Sequence, residues 1–237
     1  SSDRVTVCKS FFGKVTNDPA FTFPQLITHD SRVKRTEVET IYFVKAGGRR
    51  FRQDRPYYSL ASDDMRYLLA MCRDSGSAIG LHASYEAGFS STLVADEKKT
   101  LEDAVGQVSY NRHHFLCSRE PEDMQALEQA GITDDFTMGY ADAAGFRLGT
   151  CRATNWINPA DKSVHPLQLH PLTVMECTLD RPTYMNMDYA DAETYCKKLI
   201  DKSEYFGGEV TLLWHNTSFT GASWYAQLYE SLTEYLA

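Results

Sequence analysis

Long apolar runs are absent: stretches such as Leu212–Trp214 fall far short of the roughly 20 residues that cross a bilayer, so no membrane span is expected. Basic residues are in deficit, 24 Lys and Arg against 32 Asp and Glu, and the net charge of −8 disfavours nucleic-acid phosphates and anionic lipid as partners. The six cysteines, Cys8, Cys72, Cys117, Cys151, Cys177 and Cys196, form no C-x-x-C pair, which removes zinc ribbons and dithiol redox motifs. Reduced, buried thiols are expected, a pattern that leans to the cytoplasm; an even count also leaves room for bridges in a secreted chain. No serine nucleophile elbow, Walker loop or dinucleotide fingerprint occurs, so serine hydrolases, nucleotide hydrolases and Rossmann dehydrogenases lose their usual signals. The opening Ser1-Ser2-Asp3-Arg4 lacks the order of a signal peptide and, without an initiator Met, is expected to be a trimmed start.

What is present is apolar material for a core. In 237 residues, 43% are hydrophobic, with 12 Phe, 14 Tyr and 3 Trp, which predicts a globular chain and favours one domain over residues 1–237, its first 17 poorly defined. Short strand-like runs alternate with amphipathic helical stretches, the pattern of βα units around a largely parallel sheet. Thr40–Val44, Ala78–Leu81, Val108–Arg112 and Val210–Trp214 read as strands, with shorter ones near Phe136–Met138, Phe146–Gly149 and Leu167–Met175. Helices are expected over Asp63–Arg73 behind a Ser62 cap, Leu93–Val105, from Glu120-Pro121 to Gly131, from Asp188 to Gly207-Gly208, and at the C-terminus with Trp224, Leu228, Leu232 and Tyr235 on one stripe. The stretch holding Asn158-Pro159 reads as irregular.

Barrels and open doubly wound sheets both place chemistry at the carboxyl ends of strands. There this chain carries His82, the run Arg112-His113-His114, Asp142 beyond Phe136–Met138, and His215-Asn216. A histidine that binds metal or gives up a proton, an orienting cation and a carboxylate are the kit for metal-assisted hydrolysis of an ester or amide. Adjacent His113 and His114 point to opposite faces of an extended segment, and His114 shares the face of Arg112.

Three segments, Ile79-Gly80-Leu81-His82-Ala83-Ser84-Tyr85, Tyr110-Asn111-Arg112-His113-His114-Phe115 and Leu212-Leu213-Trp214-His215-Asn216, occur in a known order, with a longer motif from Thr137 to Thr150 between the last two. Over roughly Asp18 to the C-terminus the chain resembles polysaccharide deacetylase-like proteins of the NodB-homology superfamily, in a mostly uncharacterised bacterial branch. The resemblance implies a distorted (β/α) barrel that removes N-acetyl groups from a carbohydrate with one divalent metal, most often zinc, bound by an Asp and two His. His82 falls on the first metal-binding histidine; the second position, one helical turn on, holds Glu86, a carboxylate able to bind zinc or a harder cation. Arg112 falls on the arginine that orients the catalytic carboxylate, and His215 on the general acid toward the leaving amine. Asp142 is the carboxylate expected to meet Arg112, from the order of the segments.

The family's first strand, with its consecutive aspartates, has no counterpart. Thr28-His29-Asp30 imitates it, but Pro24, Leu26, Ile27 and Val33 place that pair on a helix with a surface role, so the barrel is expected to lack its first strand. Other positions divide between binding and packing. Tyr85, Tyr140, Trp156 and Trp214 stand at or just beyond strand ends, where a ring could stack on a sugar or pack between layers; Tyr85, Trp214 and His114 are the expected substrate contacts. His165 and His170 read as loop residues. The arginine-rich run Arg49–Arg55 suits either an anionic sugar or solvent. The expected function is a metal-dependent carbohydrate N-deacetylase for a cell-envelope or exported polysaccharide; the alternative is a degenerate carbohydrate-binding or glycan-assembly partner domain.

Overall fold

A computed structural model describes residues 39–219 and 223–236. β1 (Ile41–Val44), β2 (Ala78–Leu81) and β3 (Tyr110–Asn111) fall on expected β-branched and aromatic runs and, with β4 (Asp134–Asp135), which precedes the run expected near Phe136–Met138, pair in parallel in that order. β6 (Val164–Leu169) continues the parallel sheet beside β4, and β5 (Thr154–Ile157) closes its edge antiparallel to β6. β7 (Leu172–Met175) and β8 (Thr211–Leu213) form a second, two-stranded parallel sheet. The fold is therefore mixed α/β with a parallel-dominated sheet. The helix expected around His29-Asp30 falls on residues outside those described.

Helices return the chain between parallel strands. α1 (Asp63–Asp74) starts at Ser62, whose hydroxyl accepts from the Met65 amide, and Gly76 ends it at φ +70°. α2 (Leu93–Val105) and α3 (Glu122–Gln129) bury Val94, Leu101, Met124 and Leu127 against β2, β3 and β6, with Leu81, Trp156 and Leu167 in the same core. α5 (Tyr189–Tyr205), capped by Asp188, and α6 (Tyr225–Tyr235) build a second core with Val174, Leu179, Cys196 and Leu228, to which the short α4 (Glu176–Leu179) contributes. The five described cysteines are free thiols. No described helix is long and apolar enough to cross a membrane.

Three expectations change. Asn158-Pro159 is the tip of the β5–β6 hairpin: Asn158 exchanges backbone bonds with Lys162 and Ser163, and its side chain accepts from the Ala160 amide. Phe146–Gly149 is a turn, because Gly145 (φ +144°) and Gly149 (φ +70°) leave the extended region and the Gly149 amide bonds back to Phe146. Strand Leu167–Met175 breaks at His170-Pro171, where the chain passes from one sheet to the other.

His170 ties that break together and is no free loop residue. Its Nε2 lies 2.9 Å from Asp134 and its Nδ1 2.8 Å from Glu209, which precedes β8, while its ring stacks on Phe136. Burial pulls the imidazole pKa down, but the hydrogen bonds to Glu209 and Asp134 outweigh it and hold it above 6.5. A raised folded pKa gives stability that is full below the unfolded value and disappears as pH rises through the folded one. Urea denaturation should thus show stability falling as pH rises above 6.5 and through the higher folded value, and His170→Gln should remove that slope; an unchanged slope would assign it elsewhere.

Candidate functional site

The strand ends bring His82, Arg112 and His114 together, as their positions after β2 and β3 imply. His113, its side chain turned the other way, is fully buried behind β3 beside Asn111. His82 Nδ1 donates to the Arg112 carbonyl at 2.7 Å, and His114 Nε2 donates to the Gln53 carbonyl at 2.9 Å. Carbonyls only accept, so both outer nitrogens carry protons. The inner nitrogens, His82 Nε2 and His114 Nδ1, then face each other 3.0 Å apart, and two neutral rings have no third proton to place between them. That leaves two imidazole lone pairs converging on one point, each ring oriented by a backbone carbonyl, as metal-binding histidines are held. Burial, then His114, pushes the His82 pKa well down, and burial lowers His114, so the rings stay neutral and able to ligate.

Arg112 lies beneath this pair, 8% exposed, its guanidinium 4.3 Å from the Phe43 ring and its Nε bonded to the Phe136 carbonyl. Burial lowers its pKa to about 10 against the pull of Asp135 and Glu176. Among the described residues it makes no direct ion pair, although Asp135 and Glu176 act on it at longer range.

Across the mouth stands a dyad. Glu176, immediately after β7 and 1% exposed, accepts through Oε1 from the His215 amide (2.9 Å), His215 Nδ1 (2.7 Å) and the Ser218 hydroxyl (2.6 Å). Burial alone would raise this carboxyl; the bonds from His215 and Ser218 outweigh it and hold it below its usual range. The anion fixes the proton on His215 Nδ1 and leaves Nε2 free for chemistry. The cleft there, about 370 Å³, is lined by Cys177, Arg181 and Tyr225 besides the dyad. His215 also lowers both His82 and His114, so all three imidazoles share one electrostatic neighbourhood.

Glu176, Cys177 and His215 are the described group of three possible metal ligands, with ligand atoms within 4.8 Å of one another. They suit a metal poorly. Glu176 Oε1 already accepts three bonds and His215 Nδ1 is spent on it; Glu176 Oε2 is buried without a hydrogen-bond partner among the described residues, but burial followed by Glu176 pushes the Cys177 thiol up to about 11.

Several expected site residues are placed elsewhere. Glu86 turns its carboxylate to the amides of Arg49 and Arg50 at 3.0 and 3.1 Å and makes no contact with His82. Asp142 is exposed in a turn, and the carboxylates that act on Arg112 are Asp135 and Glu176. Trp214 packs on Tyr229 and donates to the Tyr225 carbonyl in the second core, and Trp156 is buried with its indole on Glu120. Tyr85 does stand beside the mouth, edge-on to Phe115 at 5.5 Å, and Phe115 in turn meets His114 at 4.6 Å. His165 is held by Glu128. Glu176 escaped the sequence reading although it follows strand Leu172–Met175 directly; the strand-end rule applied there would have found it. The Gln53 carbonyl leaves no signal, being backbone.

No family model matches the chain, and no curated protein matches it by sequence. Among solved structures, it superposes on a "putative polysaccharide deacetylase" from Mycobacterium smegmatis with a TM-score of 0.59 over 92% of this chain and 72% of the other, at 14% identity. The fold is that of the polysaccharide deacetylases. The resemblance carried by the strand-end motifs is thus met in three dimensions. A mutant of a CE4 family pseudoenzyme with restored enzymatic activity aligns over 82% of this chain and 62% of its own at 14% identity; its TM-score of 0.39 supports no conclusion. In this chain His82 and Arg112 follow strands directly, and only Trp214 separates His215 from β8.

Proposed function

We propose that the protein is a divalent-metal-dependent N-deacetylase of a cell-envelope or exported polysaccharide, its two sheets an arc of the distorted barrel. The observation that carries this reading is the pair of facing lone pairs on His82 and His114, set near the His215–Glu176 dyad. The pair would hold the metal, with His114 in the place expected of Glu86. A bound divalent ion would supply Lewis acidity and an ionised water. The chain's own groups do the rest. As the water oxygen adds to the acetyl carbon its proton passes to the bare His215 Nε2; the C–N bond then breaks and Nε2 returns that proton to the departing nitrogen, so acetate and a protonated amine leave. Glu176 holds the His215 ring in orientation, and the Arg112 guanidinium orients an anionic group at the reacting centre.

The test is acetate release from an N-acetylated chito-oligosaccharide by zinc-loaded protein. Acetate should accumulate, stop on chelation and resume with added metal. Sugar binding with no acetate under any metal would favour the degenerate binding module instead, a reading supported by the lack of an ion-paired carboxylate on Arg112 among the described residues.

A further inference from the structure

Beside the mouth lies a surface that the deacetylation chemistry does not use. Arg49, Arg50, Arg52 and Arg55 are all exposed, and none forms an ion pair among the described residues. The two acids nearest in space do not neutralise them. Glu86 spends an oxygen on the Arg49 and Arg50 amides, and buried Asp54 accepts from the amides of Tyr85 and Glu86. A concentration of unpaired guanidinium groups on a chain of net charge −8 runs against its average field. The loop is also fixed in place. Lys45 Nζ bonds the Asp54 carbonyl, His114 holds the Gln53 carbonyl, and Gly48, at φ +75°, sits where a Cβ would strike Asp54 and Ser84.

Rings continue this surface into the site. Phe51 packs on Tyr85 and Phe89 at 5.6 and 5.5 Å, and Tyr85 reaches Phe115, which touches His114. Phe89 and Phe115 remain 53% and 61% exposed, and Phe115 and Leu116 hold positive φ, an uncommon conformation for side chains of this size. Exposed rings joined to one another at the edge of a cleft mark a binding surface. Aromatic faces suit the C–H faces of sugar rings, and guanidinium forks suit carboxylates.

We propose that this surface is a subsite for a carboxylate-bearing glycan, so that the substrate is an N-acetylated acidic polysaccharide. This rests on the reading of the site as a carbohydrate deacetylase. Two N-acetylated tetrasaccharides separate the claims by calorimetric titration of the full chain: one alternates N-acetylglucosamine with glucuronate, the other is N-acetylglucosamine throughout. The acidic one should bind at least about tenfold tighter at low ionic strength, an advantage that shrinks as salt screens the arginines. Arg50→Gln/Arg52→Gln, both exposed positions, should erase the advantage and keep the neutral affinity, while Phe89→Ala should weaken both ligands. Equal affinities in the native protein, or an advantage that survives the arginine variant, would overturn the acidic subsite and leave the deacetylase reading standing. Binding of neither sugar overturns both. A tetranucleotide bound as tightly as the acidic sugar would mark a general anion surface and overturn the glycan assignment.

Discussion

Alanine at either His82 or His114 is expected to weaken zinc binding by about 100-fold or more, while Glu86→Gln leaves it within about twofold. The argument is a count of protons. The Arg112 and Gln53 carbonyls each require an N–H from an outer nitrogen, and a neutral imidazole has only one to give. The two inner nitrogens are therefore both bare at 3.0 Å, an arrangement that repels unless a cation beside them is bonded by both. Glu86 has no part in this, because backbone amides of the arginine loop already occupy its carboxylate. Competition between the apoprotein and a chromophoric chelator measures the affinity independently of turnover. Full zinc affinity in His114→Ala, or its loss in Glu86→Gln, would return the second ligand to the H-x-x-x-E spacing.

Glu176→Gln should lower the rate of acetate release by about 10²-fold to 10³-fold with little change in KM, the range associated with positioned general acid–base groups. The carboxylate is a positioning residue that sets the His215 proton on Nδ1 and holds the ring in orientation. His215→Ala should cost about as much, and combining the two should cost scarcely more, since the pair acts as one unit. The same substitution has a readout that needs no substrate. Glu176 is held below its usual carboxyl range, so it contributes stability above about pH 4.5 that is lost as pH falls through the lower folded value. Glu176→Gln should flatten that acid limb and cost on the order of 2 kcal/mol at neutral pH, because the Ser218 hydroxyl and His215 amide lose a charged acceptor. Ser218→Ala, which removes one donor and keeps the charge, should leave the rate nearly intact. If it costs as much as Glu176→Gln, the dyad is a structural clasp.

Several elements were legible because their causes are local. The Ser62 and Asp188 caps, the glycines at positive φ after α1, α3 and α5, and the apolar stripe of α6 each depend on a few neighbouring residues. The β5 strand was not legible, since Thr154–Ile157 is ordered by its antiparallel partner β6, a contact that periodicity alone does not encode.

The candidate site divides the same way. Sequence by itself determined that His82, Arg112, His114 and His215 stand at strand ends, because a strand's alternation and its parallel neighbours fix which residue comes first beyond the sheet. The partner facing His82 was beyond its reach. An i, i+4 spacing places two side chains together only on a continuous helix, and the chain from His82 to Ser84 leaves β2 without helical structure. Only the tertiary structure decided that His114, from the next strand, faces His82, that Glu176 bonds His215 while Asp142 is exposed, and that the arginine loop reaches His114. Each of these is a contact across strands or through a backbone carbonyl, set by how the elements pack and not by any spacing along the chain.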